Sequence, residues 1–142
     1  MALDVRGVTP LMLVYDVPTS VRFYRDVLGF QVVSTSPSLG EDNFHWVWLR
    51  LGDADLMLND TYESDDERPP EPDRARTAAH EDLCLYFGCP DVDAAYAELH
   101  GKGVSVKKPV VTPYGMKQMY LRDPDGYNLC FQWSAGESAS AA

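Results

Sequence analysis

Basic residues are scarce in this chain. Only 12 Lys and Arg stand against 22 Asp and Glu, for a formal net charge of −10 at pH 7. Nucleic acids and anionic membrane surfaces attract basic patches, so neither is expected as a partner. Cysteine is scarce as well: Cys84, Cys89 and Cys130 are the only three, an odd number at spacings that match no disulfide framework. Reduced thiols in a cytoplasmic protein are the expectation that follows. The opening stretch MALDVRGVTPLMLVYD lacks a basic region followed by a long apolar run, and no apolar run approaches the length of a bilayer span. Neither a secretion signal nor a membrane segment is therefore expected.

What is present is enough to fold. Apolar residues make up 45% of 142, which suits one compact domain with a real core. Two segments depart from that composition. Residues 61–82, TYESDDERPPEPDRARTAAHED, are rich in Pro and charge, and residues 134–142, SAGESASAA, are small and polar. Neither can bury much apolar area, so the first is expected to be an acidic linker or mobile loop and the second a disordered tail. Outside them lie two stretches of similar character, 1–60 and 83–133.

These stretches repeat each other in order. MLVYDVPTSVRFYRDVLGFQVVS and CLYFGCPDVDAAYAELHGKGVSVKK each give a β-rich run, Asp-Val, a helical pattern, Gly and another strand. Later, VWLRLGDADLMLN parallels MYLRDPDGYNLCFQ, each an expected hairpin with aromatic-Leu-Arg before its turn. Two βαβββ units are the simplest reading. In the second, Val92, Ala95, Tyr96 and Leu99 fall on one helical face, with Asp91 as N-cap and Gly101 or Gly103 as stop. In the first, Pro18 suits the opening turn, Val21, Tyr24 and Leu28 face one way, and Gly29 ends the helix. A one-sided helix covers one face of a sheet and leaves the other free to line something else.

The stretch DVPTSVRFYRDVLGF resembles the helix signature of the vicinal oxygen chelate superfamily, which includes glyoxalase I, extradiol dioxygenases, fosfomycin-resistance enzymes and bleomycin-resistance proteins. DPDGYNLCFQW resembles its closing hairpin, and PYGMKQMYLRDPDGYNLCFQ is most similar to the end of bleomycin-resistance proteins, where an aromatic-Gly pair precedes the last hairpin. The resemblance covers residues 8–133. It implies an α+β fold of two tandem βαβββ modules forming a curved mixed sheet around a cavity, helices on the outer face, and a homodimer, often with exchanged modules. It does not imply one function.

Metal-dependent members of the family place His, Gln or Glu at four inward strand positions. Carried onto this chain, those positions fall on Thr9, Met57, Cys84 and Cys130. None is His, Gln, Glu or Asp, so the family metal is expected to be absent. His45 falls on the helix side by alternation, His80 in the acidic segment and His100 near a helix end, each read as a solvated or packing residue.

Alternation then assigns the inward face. Pairing across Gly52-Asp53 sets Trp48 opposite Met57 and Trp46 opposite Asn59, with Phe44, Arg50 and Asp55 on the same side and Arg50 and Asp55 as an ion pair. In the second module Cys84, Tyr86, Gln118, Tyr120, Asn128, Cys130 and Gln132 point inward, and Tyr114 belongs to the aromatic-Gly pair ahead of the hairpin. Aromatics also fill small barrels. Here amides alternate with them, and amides are costly in a sealed dry core. An apolar pocket with a few amides suits a planar organic ligand, and the net charge favours a cation.

The leading expectation is a metal-free, cofactor-free protein that binds or sequesters a small organic molecule, as bleomycin-resistance proteins do. Two alternatives stay open. One is a glyoxalase-like lyase or isomerase, or a dioxygenase, with non-standard ligands among Asp55, Asn59 and Glu81. The other is a soft-metal site of Met57, Cys84 and Cys130, suited to Cu(I) or Hg(II).

Overall fold

Strand order is the same in both halves of the chain. The computed structural model describes residues 2–137, and the chain divides into two units between Arg68 and Pro69. The first contains β1 (Leu11–Val14), α1 (Val17–Arg22), β2 (Gln31–Thr35), β3 (Trp46–Leu51) and β4 (Ala54–Asp60). The second contains α2 (Arg74–Ala79), β5 (Cys84–Gly88), α3 (Val92–Gly101), β6 (Val110–Val111), β7 (Met116–Arg122) and β8 (Asn128–Ser134). The sheets run β1-β4-β3-β2 and β5-β8-β7-β6, and in each the first pair is parallel and the others antiparallel. The α+β fold of two βαβββ modules read from the sequence is the one observed.

The duplication holds to the residue. Leu11 pairs with Met57, and Tyr86 pairs with Cys130. Leu11 lies five residues before Asp16 and Tyr86 five before Asp91, so equivalent positions meet in each module. In the first module Met12, Val14, Val47, Leu49, Leu56 and Leu58 are buried with Val17, Val21 and Tyr24 of the helical segment. Each such aliphatic side chain contributes roughly 1.5–3 kcal/mol by leaving water. The expected apolar face of Val21, Tyr24 and Leu28 is buried, but the helix does not run evenly to its end. It widens into a π-helical turn over Phe23–Val27, in which the Leu28 amide donates to the Phe23 carbonyl at 3.2 Å. Gly29 then takes φ +92° and stops it.

In the second module Val92 and Leu99 of α3 are buried, as are Met119, Leu121, Leu129 and Phe131 of the two hairpin strands. Asp91 caps α3, accepting from the Ala94 amide at 3.0 Å.

The acidic segment, expected as a linker or mobile loop, contains the boundary between the two units and also carries structure of its own. Its first part stays with the first module: the Thr61 amide and hydroxyl both donate to the Val14 carbonyl at 3.0 Å, and Arg68 pairs with Asp16 at 3.3 Å. Its second part folds into α2, where Asp73 accepts from the Ala75 and Arg76 amides. A short 3-10 turn, His80–Asp82, follows. Composition pointed to disorder, but an Asp ahead of Arg-Ala-Arg-Thr-Ala-Ala is a cap and a run of good helix formers. Of the tail, Ser134 ends β8 and Ala135–Glu137 form a 3-10 turn; residues 138–142 lie outside the described residues.

Candidate functional site

Each sheet has one face under its helix and one face without it. On the first module the second face carries Trp46, Trp48, Met57 and Asn59 in the register expected, Trp46 opposite Asn59 and Trp48 opposite Met57. These groups are tied to one another. The Trp46 indole donates to the Met57 sulfur at 3.3 Å. The Trp48 indole donates to Asp55 Oδ1 at 3.1 Å, and Arg50 Nε donates to the same oxygen at 2.7 Å. The Arg50 guanidinium also lies 5.2 Å from the Trp48 ring centroid. Asp55 is therefore an ion-pair partner, as read from sequence, and also the acceptor that fixes the Trp48 ring. Asn59 donates to the Asp60 carbonyl at 3.2 Å. Phe44 is half-buried just ahead of β3.

The sequence reading missed Leu11 and Leu13. They pair with Met57 and Asn59 across β1 and β4, and they are 52% and 38% exposed. Continuing the alternation from Thr9 would have found them.

On the second module the corresponding face carries Tyr86, Cys130 and Tyr120 in one row and Gln132 and Gln118 in the next. The tyrosine hydroxyls of Tyr86 and Tyr120 meet at 3.0 Å, with their rings edge to face. Tyr120 and Tyr114 donate to Gln118 Oε1 at 3.3 and 3.4 Å, and Gln118 Nε2 donates to Gln132 Oε1 at 2.8 Å. The amides thus satisfy each other and the phenols, which answers their desolvation cost. Asn128 instead donates to the Glu81 carbonyl at 3.1 Å, anchoring the segment ahead of β5. Tyr86, Tyr114 and Tyr120 keep 54%, 69% and 47% of their surface exposed, a large aromatic area next to a buried polar network.

The thiols here are not activated. Burial pushes the Cys130 thiol up, eased by a hydrogen bond from Tyr120. Burial also raises Cys84, eased by Tyr86. Tyr120 itself is pushed well above the ordinary phenol range, first by its bond to Tyr86 and then by burial. Neutral thiols without a base make poor nucleophiles and poor metal ligands.

The four positions onto which the resemblance carries the family metal ligands, Thr9, Met57, Cys84 and Cys130, present a hydroxyl, a thioether and two thiols held protonated by burial. That donor set does not fit a hard divalent ion or an imidazole–carboxylate centre. Among the described residues, no three His, Cys, Asp or Glu side chains come together as a metal site. The histidines have other partners. His45 Nδ1 lies 2.5 Å from Asp60 Oδ2, His80 stacks on Tyr127 at 3.9 Å, and His100 stacks on Tyr96 at 5.5 Å. No helix among the described residues is long and apolar enough to cross a membrane.

The profile of the Glyoxalase/Bleomycin resistance protein/Dioxygenase superfamily matches residues 8–131. The chain belongs to that superfamily. Curated protein sequences give no match. Among solved structures, the chain is similar to TnmS3, an antibiotic binding protein from Streptomyces sp. CB03234, at 25% identity and TM-score 0.65, over 93% of this chain and 98% of that one. It is also similar to the bleomycin-binding protein of Streptomyces verticillus, solved with copper(II)-bleomycin, at 22% identity and TM-score 0.64, over 91% and 96% of the two chains. Lactoylglutathione lyase from Agrobacterium tumefaciens shares the fold at 19% identity and TM-score 0.64, over 92% and 95%. Proteins that share this fold thus include antibiotic binders and a lyase, and the side chains must decide between such roles.

Proposed function

We propose that this chain is a metal-free, small-molecule-binding member of the superfamily, of the drug-binding or sequestration type, working in the cytoplasm as a homodimer. One observation carries the reading. The positions that hold metal in catalytic members carry Thr9, Met57, Cys84 and Cys130, while the same faces present Trp46, Trp48, Tyr86 and Tyr120. A catalytic centre has been replaced by rings, thiols and amides. Such a surface binds a planar organic molecule by stacking and orients it through a few polar groups. Similarity to an antibiotic binding protein at 25% identity supports this direction. The net charge of −10 favours a cationic ligand over an anionic one.

The residues assigned to contact are Phe44, Trp46, Trp48, Met57 and Asn59 on the first module. On the second they are Cys84, Tyr86, Tyr114, Gln118, Tyr120, Asn128, Cys130 and Gln132. Trp48 is the strongest anchor, because Asp55 and Arg50 hold its ring in place before a ligand arrives.

The test combines metal analysis with ligand titration. Protein purified without chelators is expected to hold no stoichiometric Ni, Fe, Mn or Zn. Planar antibiotics, and separately bleomycin, are titrated while tryptophan fluorescence is followed. Trp48→Ala is expected to cost about 1–3 kcal/mol of affinity while the protein stays folded. Near-equimolar metal, lost together with a lyase or dioxygenase activity when the assigned residues are changed, would return the chain to the enzymes. Tight Cu(I) binding lost in Cys130→Ser would favour the soft-metal reading instead.

A further inference from the structure

The first module carries a cavity on residues that the binding faces leave unused. Alternation places His45 and Asp60 opposite in sense to Trp46 and Asn59, toward the side of Val47 and Leu58. The His45–Asp60 pair lines a cavity of about 200 Å³, together with Tyr15 and Tyr62. The two tyrosine rings meet edge-on, 6.5 Å between centroids. The chain that leaves β4 supplies Glu63, Asp65 and Arg68 to the same lining. Tyr15 and residues 61–68, the latter a part of the stretch 61–82 expected from sequence as an acidic linker or mobile loop, thus take part in a walled space.

The cavity already shows which chemistry it accepts. The Arg68 guanidinium lies 5.5 Å from the Tyr15 ring centroid, 2.9 Å from Asp65 and 3.3 Å from Asp16. An aromatic face flanked by carboxylates is a cation cage, and a guanidinium fits it by both stacking and hydrogen bonding. The lining holds more negative charge than Arg68 neutralises: Asp60, Glu63 and Asp65 all contribute, and Glu63 forms no ion pair among the described residues. The volume falls below the roughly 300 Å³ at which drug-sized pockets begin, so the occupant is small. Arg68 also sits on a stretch without strand pairing, and its side chain is tethered by two part-exposed ion pairs, a local one to Asp65 three residues away and a longer one, at 3.3 Å, to Asp16.

We propose that this cavity is a second binding site, for a small organic cation bearing a guanidinium or primary ammonium group, and that Arg68 is its resident competitor. A ligand enters by displacing the Arg68 side chain from Tyr15, Asp65 and Asp16. The site does not depend on what occupies the tryptophan and tyrosine faces.

The test is isothermal titration calorimetry at low ionic strength, where charge contacts are least screened. The probe is n-butylguanidinium, with n-butylurea as its uncharged isostere. Wild type is expected to bind the cation weakly, and Arg68→Ala and Arg68→Gln at least fivefold more tightly. Adding Glu63→Gln and Asp65→Asn to Arg68→Ala is expected to reverse the gain at least fivefold. n-Butylurea is expected to give no saturable binding. Thermal melts verify that each variant is folded, and the two Arg68 variants guard against one failing. Unchanged or weaker binding in a folded Arg68 variant makes Arg68 part of the wall and overturns the proposal. Equal binding of n-butylurea, or no saturable binding in any protein, overturns it too.

Discussion

At the scale of single residues, Cys130 is the most enclosed of the three thiols. It is fully buried, at 0% exposure, and Tyr120 and Tyr86 flank it across β7 and β5. A thiolate there would face desolvation and the neighbouring Cys84, so the neutral form is favoured. Burial holds the folded-state pKa above the ordinary value of 9.0. The sign follows: the associated stability is complete below that value and is lost as pH rises through the folded-state pKa. Iodoacetamide at pH 7.5 is therefore expected to label Cys130 far more slowly in the folded protein than in urea, and more slowly than Cys84 or Cys89, which are only half-buried. Mass spectrometry of timed digests reads this directly. Labelling of Cys130 in the folded state as fast as in urea would mean an activated thiol and would reopen a nucleophilic role.

At the scale of elements, the closing hairpin and α2 were read very differently and turn out to be joined. The DPDG turn is self-supporting: Asp123 Oδ1 accepts from the Asp125 and Tyr127 amides at 2.9 Å, and the Gly126 amide donates to the Asp123 carbonyl at 3.0 Å. Gly126 has φ +85°, and a Cβ there would meet the Thr77 carbonyl of α2 at 3.1 Å. His80 completes the contact by stacking on Tyr127 and bonding the Asp125 carbonyl at 2.7 Å. Gly126→Ala combines a left-handed conformation, which costs an L-residue roughly 1–2 kcal/mol, with a backbone clash, so a loss of about 2 kcal/mol or more is expected in urea melts. A change under 0.5 kcal/mol would mean that α2 does not rest on this turn. The hairpins, the register of Trp48 on Met57 and both module helices were legible because period-2 and helical patterns report directly on burial. The α2 docking was not legible. Its contacts reach from 77 to 126 and from 80 to 127, and no local pattern encodes a partner so far along the chain. Nor was the His45–Asp60 pair: alternation gave the side of His45 but not its neighbour.

At the scale of the whole molecule, the apolar surface left on the sheets asks for a cover. Leu11, Leu13, Tyr86 and Tyr120 on the uncovered faces are all more than a third exposed, and so are Val110 and Val111 on edge strand β6. The planar ligand proposed above would shield some of this area, but edge strands need another strand or chain. A second copy is the partner that every cell making the protein supplies, and closed pairs are the commonest oligomers. Charge works against self-association: each copy carries −10, and like charges repel over about 10 Å at 0.1 M salt. The two forces predict a distinctive salt response. Light scattering coupled to gel filtration is expected to give about twice the 15.9 kDa chain mass at micromolar concentration, with a dissociation constant that falls as sodium chloride rises from 0.05 to about 0.5 M. An association that weakened with salt would point to ion pairs between copies instead of apolar contact. A constant mass of 15.9 kDa across the micromolar range would leave the exposed tyrosines and leucines to the ligand alone.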